Sequence, residues 1–294
     1  MAKVAFLGLG TMGAPMARNV LKGGHALAVF DVHRPALEAF RATTARLATS
    51  PADAAAGTDI VITMLPASAD VDHAMLGADG AAGAMRPGAL LVDCTTADPE
   101  RSIALASALA PRGIRMVDAA VGRPPWDAVT GTLMFMVGGS DEDVDAARAV
   151  LDNMGNEIIR CGAQGNGTKT KVINNYMSVC GMVLAAETLA FGRKAGLDRD
   201  VLLKVLQSTV AGRGAINVLY PKKVLAGDLT PLFAMRLAHK DLGLALELGG
   251  KLGTPLGMGA AGRQELGLGA PWGRMEQDVT AILLVLEEIA RATA

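Results

Sequence analysis

The feature that most constrains the fold lies at the start of the chain, where a short apolar run leads into a glycine-rich turn and then a helical pattern. Val4–Leu7 precedes a GxGxxG motif at residues 8–13, and the helical pattern covers Met12–Lys22. In a strand-turn-helix of this kind, the first glycine permits the sharp turn, the second lets the backbone approach a pyrophosphate, and the third allows close helix–strand packing. The residues expected to hold this anion at the helix N-terminus are Gly8, Gly10, Thr11, Met12 and Gly13.

An acidic residue after the second strand indicates which dinucleotide is bound. The run Ala28–Phe30 ends in Asp31, which follows the glycine motif by the distance expected of a ribose-binding acid. A carboxylate there accepts hydrogen bonds from the ribose hydroxyls and repels a 2′-phosphate, which favours NAD(H) over NADP(H). Arg34 keeps the alternative open, because an arginine accommodates a 2′-phosphate. A surface aspartate beside a turn without a ligand is the structural alternative.

The pattern of apolar runs divides the chain into two halves. In the first half, short continuous apolar runs alternate with Ala-rich helical segments such as Arg34–Thr43, which predicts a parallel sheet covered on both faces. From about Gly165 only helical patterns remain. We therefore predict an α/β fold with a Rossmann-type doubly wound domain over residues 1–164 and an all-α domain over residues 165–294. The remaining predicted strands are Ile60–Met64, Leu90–Asp93, Arg115–Asp118, Leu133–Val137 and Glu157–Arg160, and the predicted helices are Thr168–Lys194, Arg199–Gln207, Pro231–Leu252 and Gln277–Ala292.

Composition excludes several other classes of protein. The 294 residues include 28 basic and 29 acidic side chains, so the net charge of −1 gives no electrostatic reason to expect a nucleic acid or a membrane surface as partner. Three scattered cysteines form no CxxC pair, so neither a disulfide framework nor a structural metal site is expected. No apolar run approaches the length of a membrane span, and the N-terminal run resembles a strand more than a signal peptide. We expect a cytoplasmic protein.

A polar stripe marks the start of the long predicted helix. Lys171, Asn174, Asn175 and Ser178 stand at i, i+3, i+4 and i+7 and therefore share one helix face. An amine that moves a proton and amides that hold oxygens make this face a plausible substrate platform, whereas an ordinary solvated face is the simpler interpretation. The position decides between them, because a cleft between the two domains is expected beside the opening turns of this helix.

Four blocks of sequence, in order and spread over essentially the whole chain, resemble the signature blocks of the β-hydroxyacid dehydrogenase family, which includes 3-hydroxyisobutyrate dehydrogenase. They are Gly8–Ala17, Asp93–Pro99, Gly165–Asn175 and His239–Leu242. The resemblance implies that Lys171 is the general acid/base and that Asn175 orients the substrate. It also implies that Thr96 and Lys240 lie near the nicotinamide and the substrate, that the turn containing Met64 and Leu65 contacts the cofactor, and that the α-domains form a homodimer or homotetramer.

One block departs from the family pattern. Where the family has Asp-x-Pro-Val-Ser-Gly-Gly, this chain has Asp118-Ala-Ala-Val-Gly-Arg-Pro-Pro, so Gly122 replaces the serine and Arg123 the first of the two glycines. An arginine supplies several fixed donors for a larger anion than a planar carboxylate. This departure is similar to the branch of the family that reduces 3-sulfolactaldehyde. The substrate-binding residues that the resemblance implies are Gly122, Arg123, Thr96, Asn174, Asn175 and Ser178.

The sequence thus predicts an NADH-dependent aldehyde reductase that acts on a small anionic substrate, with Lys171 as proton donor. Two alternatives stay open. A reductase or dehydrogenase for a carboxylate-bearing substrate, such as tartronate, methylmalonate or succinic semialdehyde or a 3-hydroxyacid, differs in what Arg123 recognises. A non-catalytic NAD-binding protein, or an imine reductase of the same architecture, would be expected to lack Lys171.

Overall fold

The computed structural model describes residues 1–194, 196–209, 214–251 and 256–292. The chain divides into two compact units, Met1–Lys171 and Val172–Ala294, called the first and second unit below. One long helix, α8 (Asn166–Lys194), starts in the first unit and continues into the second. The domain boundary expected from the sequence, after residue 164, lies just before this helix.

The first unit is built on an eight-stranded sheet in the order β3-β2-β1-β4-β5-β6-β7-β8. The strands from β1 to β6 pair in parallel, β7 pairs antiparallel with β6, and β8 pairs parallel with β7. This confirms the predicted doubly wound α/β fold, with a mostly parallel sheet. The strands are β1 (Lys3–Leu7), β2 (Ala26–Phe30), β3 (Arg46–Leu47), β4 (Ile60–Thr63), β5 (Leu90–Asp93), β6 (Arg115–Gly122), β7 (Leu133–Gly138) and β8 (Gly155–Gly162).

The sequence prediction missed one strand and differs from the structure in the bounds of several others. The two-residue β3 was missed, because two residues are too few to show either an apolar run or an alternation. The strand predicted over Arg115–Asp118 continues to Gly122, since Ala119, Ala120 and Val121 are as buried as the residues before them. The extension places Gly122 at the end of a strand.

Helices cover both faces of the sheet, which explains why the central strands are apolar without alternation. Phe6, Val29 and Ile62 belong to the core on one face, and Leu7, Val61 and Leu91 belong to the core on the other. The helices of the first unit before α8 are α1 (Gly13–Lys22), α2 (Arg34–Glu38), α3 (Pro51–Ala55), α4 (Ser68–Leu76), α5 (Pro99–Leu109), α6 (Pro125–Thr130) and α7 (Asp141–Met154). The helix predicted over Arg34–Thr43 stops earlier because residues 39–43 form turns.

The strand pairing aligns one residue of each long strand in a single row across the sheet. Read from β2 to β8, the row is Phe30, Leu7, Thr63, Asp93, Asp118, Gly138 and Gly162. The strands β1, β2, β4 and β5 end at this row, so the loops that follow them leave the sheet at one edge. The strand β6 continues beyond the row to Gly122, and β7 returns beside it. Ligands of open α/β sheets bind at this edge.

The second unit consists of the remainder of α8 and further helices packed around their own core. Val183, Leu242, Leu266 and Ile282 lie in this core. The helices are α9 (Arg199–Ser208), α10 (Ala215–Val218), α11 (Met235–Lys251), α12 (Gly257–Gly267) and α13 (Ile282–Ala292). The sequence prediction missed the four-residue α10 and also α12, which is rich in glycine and therefore has low helix propensity. The helices predicted from Pro231 and Gln277 begin at Met235 and Ile282 instead, and the predicted end of the former, Leu252, lies outside the described residues. Among the described residues, no helix is both long and apolar enough to cross a bilayer.

Candidate active site

The glycine-rich turn after β1 has the geometry that a dinucleotide requires. Gly8 has φ of 99°, and a Cβ atom there would lie 2.2 Å from the Met64 carbonyl oxygen. A Cβ atom on Gly13 would lie 2.0 Å from the Gly8 carbonyl oxygen, so α1 packs directly on the turn. Gly10 is exposed, and a Cβ atom there would have no neighbour within 4 Å. The turn is therefore closely packed at Gly8 and Gly13 but open to solvent at Gly10, which fits the approach of a pyrophosphate.

Asp31, at the end of β2, is held against this turn by the backbone. Its Oδ2 accepts a hydrogen bond of 2.6 Å from the Leu9 N–H, and its Oδ1 accepts one of 2.7 Å from the His33 N–H. A carboxylate has about four acceptor positions, so each oxygen keeps one for a ribose hydroxyl. The donor and acceptor groups of the turn and of Asp31 therefore fit an adenine dinucleotide. The contact with Leu9 was not foreseen from the sequence.

Asp93 organises the loops after β4 and β5. Its Oδ1 accepts hydrogen bonds from Thr63 Oγ1 at 2.8 Å and from the Thr95 N–H at 3.0 Å. The Thr95 hydroxyl in turn accepts a bond of 3.1 Å from the Leu65 N–H. These contacts fix the two loops that carry Met64, Leu65 and Thr96, all of which are half-buried. Burial raises the pKa of Asp93 to about 6, although the threonine hydrogen bonds oppose this shift.

Asp118 fixes the beginning of α8. Its two carboxylate oxygens accept hydrogen bonds from the Gly165 N–H at 2.7 Å and the Thr168 N–H at 2.6 Å, and the side chain is fully buried. Burial raises the pKa of this carboxyl group. A Cβ atom on Gly167 would lie 2.4 Å from the Met136 carbonyl oxygen, so the first turn of the helix sits directly on the sheet. Lys171, which is half-buried, lies on the following turn.

Within the second unit, Asn175 is held by a buried carboxylate on α11. Its Nδ2 donates a short hydrogen bond to Asp241 Oδ2, and both side chains are buried. The Lys240 ammonium lies 3.1 Å from Asp241 Oδ1. Asn174 and Ser178 are exposed on α8, and Asn174 Nδ2 donates to Asn175 Oδ1 at 3.4 Å. Sequence reasoning did not assign a role to Asp241, although a buried acid next to Lys240 in a family signature block was a usable signal.

Arg123 lies directly after β6 and is engaged within the first unit. Its Nη1 donates to the Thr132 carbonyl oxygen at 2.6 Å and to Asn156 Oδ1 at 2.7 Å, and its Nη2 donates a short bond to Glu157 Oε2. Among the described residues, Arg123 alone of the non-glycine residues has a positive φ, of 74°. The sequence did not predict the contact with Glu157, because nothing in the local pattern indicates that β8 begins one strand beyond β7 from the end of β6.

Gly122, the last residue of β6, is buried against Met134 of β7. A Cβ atom there would lie 2.5 Å from the Met134 methyl group. The serine that is usual in the family would therefore displace this flexible side chain. Within the described part of the chain, no three His, Cys, Asp or Glu side chains form a group that could hold a metal ion.

Comparison with known proteins finds one family model for each half of the chain, and both models describe nicotinamide-dinucleotide-binding regions. A family model described as the NAD binding domain of 6-phosphogluconate dehydrogenase matches residues 3–162. A second model, described as the NAD-binding region of NADP-dependent 3-hydroxyisobutyrate dehydrogenase, matches residues 165–286. The two matches together include all of the candidate cofactor-binding, substrate-binding and catalytic residues.

Individual relatives match over nearly the full length. The chain is 40% identical over 294 residues to 3-sulfolactaldehyde reductase of Escherichia coli K12, covering 100% of this chain and 99% of that protein. It is 40% identical over 252 residues to 3-hydroxyisobutyrate dehydrogenase of Pseudomonas aeruginosa, covering 84% of this chain and 85% of that protein. The structure of Mycobacterium tuberculosis 3-hydroxyisobutyrate dehydrogenase with L-serine matches with a TM-score of 0.87 at 31% identity, covering 97% of this chain and 99% of that chain.

Proposed function

The chain belongs to the 3-hydroxyisobutyrate dehydrogenase-like β-hydroxyacid dehydrogenase family, and on that premise we propose that it reduces 3-sulfolactaldehyde to 2,3-dihydroxypropane-1-sulfonate with NADH. Membership makes it an oxidoreductase that uses a nicotinamide cofactor. The choice of substrate depends on one observation, namely that Arg123 follows Gly122 at the end of β6, where the family usually has glycine after serine. The full-length relative from Escherichia coli supports the same choice.

The first unit supplies the cofactor-binding groups of the proposal. The open turn at Gly10 accepts the pyrophosphate, and Thr11, Met12 and the helix N-terminus border it. Asp31 accepts the ribose hydroxyls and makes NADH preferable to NADPH, because a 2′-phosphate beside a carboxylate is repelled. Met64, Leu65 and Thr96, in the loops fixed by Asp93, are assigned to the nicotinamide end of the cofactor, and the family resemblance assigns Lys240 to the same end. When bound, NADH supplies the hydride that reduces the aldehyde carbon.

Lys171 supplies the proton. As the aldehyde carbon is reduced, negative charge develops on the carbonyl oxygen, and the Lys171 ammonium donates a proton to it. Asn175, whose amide orientation is fixed by Asp241, orients the substrate. Asn174 and Ser178, on the same helix, donate hydrogen bonds to the sulfonate of the substrate. The role of Asp118 in this scheme is to seat the turn that precedes Lys171.

Arg123 recognises the sulfonate. A sulfonate presents three acceptor oxygens, and a guanidinium offers a planar fork of donors that forms charge-assisted hydrogen bonds to such a group. This remote contact orients the aldehyde for the chemical step. Since arginine also pairs well with a carboxylate, a carboxylate-bearing semialdehyde is the second candidate, and the Pseudomonas aeruginosa relative favours it.

A direct comparison of substrates tests the proposal. NADH oxidation is measured with 3-sulfolactaldehyde, succinic semialdehyde and tartronate semialdehyde under identical conditions. We expect kcat/KM for 3-sulfolactaldehyde to exceed that for the other two by about tenfold or more, the discrimination that one well-placed polar contact provides. Higher kcat/KM for either semialdehyde would replace the proposed substrate by the second candidate. The same assay with NADPH tests the assignment of Asp31.

The proposal also covers the location of the enzyme in the cell, its oligomeric state and its partners. We place it in the cytoplasm, where NADH is available, as a homodimer or homotetramer joined through the second unit. Its partner in the reaction is a small anionic aldehyde rather than a macromolecule.

A further inference from the structure

The guanidinium that the proposed function assigns to the substrate anion already has an anionic partner in this chain. Glu157, the third residue of β8, accepts a hydrogen bond from Arg123 Nη2. Both residues are exposed, and the solvent-accessible fraction of the side chain is 33% for Arg123 and 47% for Glu157. The Glu157 carboxylate and a substrate anion bound to Arg123 would therefore compete for the same guanidinium N–H donors.

The contacts of Arg123 divide between its two terminal nitrogens. Nη1 is held by two neutral acceptors, the Thr132 carbonyl oxygen at 2.6 Å and Asn156 Oδ1 at 2.7 Å. Nη2 carries the charged contact with Glu157. The neutral contacts are able to keep the arginine in place while Nη2 exchanges one anion for another. An uncharged ligand has no comparable means of replacing the carboxylate, because hydrogen bonds between two charged groups are stronger than those to neutral groups.

The direction of the peptide chain brings this pair to the substrate edge of the sheet. β6 ends at Gly122, β7 returns from Leu133, and Leu133 pairs with Gly155 at the start of β8. Met134 of β7 pairs with Gly122 on one side and with Glu157 on the other, so Glu157 lies one strand beyond β7 from the end of β6. It is past the row of residues at which β1, β4 and β5 end.

We propose that Glu157 is a specificity-determining residue, which competes within the molecule with the sulfonate or carboxylate of the substrate for the Arg123 guanidinium. The inference rests on the proposed function only in assigning the anionic end of the substrate to Arg123. Its consequence is that Glu157 weakens the binding of anionic substrates and leaves that of uncharged aldehydes unaffected.

The test removes the charge of Glu157 and keeps its shape. Glu157→Gln retains an acceptor oxygen for Arg123, and Glu142→Gln, at an exposed position on α7, removes the same charge elsewhere in the first unit. KM and kcat are measured for 3-sulfolactaldehyde and for glyceraldehyde, an uncharged aldehyde with a hydroxyl group in place of the sulfonate. The dissociation constant of 2,3-dihydroxypropane-1-sulfonate is measured by calorimetry with NAD⁺ present.

We expect Glu157→Gln to lower the KM for 3-sulfolactaldehyde and the dissociation constant of the sulfonate by about two- to fivefold, the range set by a partly exposed ion pair. The kinetics with glyceraldehyde should stay unchanged, and Glu142→Gln should resemble the wild type with every ligand. In an Arg123→Met background, the Glu157→Gln change should have no further effect on sulfonate binding.

Each other result has a separate meaning. Unchanged or weaker sulfonate binding by Glu157→Gln overturns the inference, as does an improvement that persists in the Arg123→Met background or appears equally with glyceraldehyde. A wild type that binds no sulfonate also overturns it, since no competition then exists. If the sulfonate binds as expected but 3-sulfolactaldehyde is not reduced, the proposed function fails while the inference about Glu157 stands.

Discussion

Two carboxyl groups of neighbouring strands, Asp93 and Asp118, are buried side by side at the edge of the sheet. Burial is the main reason that their pKa values are raised, and each keeps its position through hydrogen bonds from backbone or hydroxyl donors. Polar groups buried in this way are costly unless their hydrogen bonds are satisfied. Their presence at the carboxyl ends of strands is therefore typical of a functional site, where pKa values are commonly displaced.

The first prediction at the residue scale concerns the pH dependence of stability. The pKa of Asp93 is about 6 in the folded chain, above the value of about 3.9 expected in the unfolded chain. The folded state therefore binds the proton more tightly, and this group makes the protein less stable as the pH rises from about 4 to about 6. Asp93→Asn removes this dependence. Urea unfolding should show the free energy of unfolding of the variant improving relative to the wild type by about 1–3 kcal/mol between pH 4 and pH 7.5.

The wild type serves as the control for Asp93→Asn, because the two proteins share every other titrating group. Stability curves of Asp93→Asn and wild type that stay parallel over this pH range would mean that Asp93 has an ordinary pKa in the folded state.

The second prediction tests the proton donor. Lys171→Ala should lower kcat by roughly two to four orders of magnitude, the contribution typical of general acid catalysis. NADH binding, measured by fluorescence titration, should stay nearly unchanged, because the proposed dinucleotide contacts are made by other residues. Turnover similar to that of the wild type would remove Lys171 from the mechanism.

The third prediction concerns the selectivity supplied by Arg123. Arg123→Gly places glycine at a position with φ of 74°, a conformation that glycine adopts without strain. The variant should raise the KM for 3-sulfolactaldehyde by about tenfold or more, because a charge-assisted contact is lost, and should change the KM for glyceraldehyde far less. An equal effect on the two aldehydes would show that Arg123 does not recognise the sulfonate.

At the scale of the secondary-structure element, the long helix α8 depends on a residue from the sheet. Asp118→Ala leaves the Gly165 and Thr168 N–H groups without their acceptor, so we expect a loss of about 1–3 kcal/mol in the free energy of unfolding. We also expect kcat to fall more than KM changes, since the turn before Lys171 is no longer fixed. Urea unfolding and steady-state kinetics measure the two effects.

A second helix provides the matched control for this prediction. Asp198 caps α9 by accepting hydrogen bonds of 3.0 Å from the Asp200 and Val201 N–H groups. Asp198→Ala therefore removes the same kind of cap from a helix that carries no proposed catalytic residue, and it should lower stability without lowering kcat. Equal kcat values for the two variants would show that Asp118 serves stability alone.

At the scale of the whole molecule, several large apolar side chains of the second unit are exposed to solvent. Exposed apolar residues on its helices include Ile173, Met177, Leu184, Val201 and Val205. Surfaces of this kind commonly form interfaces between subunits. Light scattering should give a mass near two or four times the 30.2 kDa of one chain.

Substitution of the exposed valines of α9 makes the assembly prediction specific. Val201→Glu combined with Val205→Glu places two charges on adjacent turns and should shift the mass towards that of one chain. Val32→Glu, at an 88% exposed position of the first unit, should leave the mass unchanged. A stable monomer for the wild type would contradict the proposed assembly.

Much of this architecture could be predicted from the sequence, because buried parallel strands such as Ile60–Thr63 appear as continuous apolar runs. The glycine-rich turn could also be predicted, since a separate steric requirement explains why each of its positions is glycine. The direction of β7 could not be predicted, because the apolar pattern of a strand is the same for either direction. Two hydrogen bonds also could not be predicted, since each joins residues far apart in the sequence. They link Asp118 to Gly165 and Glu157 to Arg123.

The reversal at β7 also has an evolutionary consequence. It brings Arg123 into contact with Glu157, which lies 34 residues later in the chain, so that the two charges interact directly. Under the proposed competition, substitution of either residue alone changes the affinity for anions, so residues 123 and 157 are expected to covary among homologues. Lineages that lose the cation at 123 are expected to lose the acid at 157 soon afterwards, which would link substrate range to paired substitutions rather than single ones.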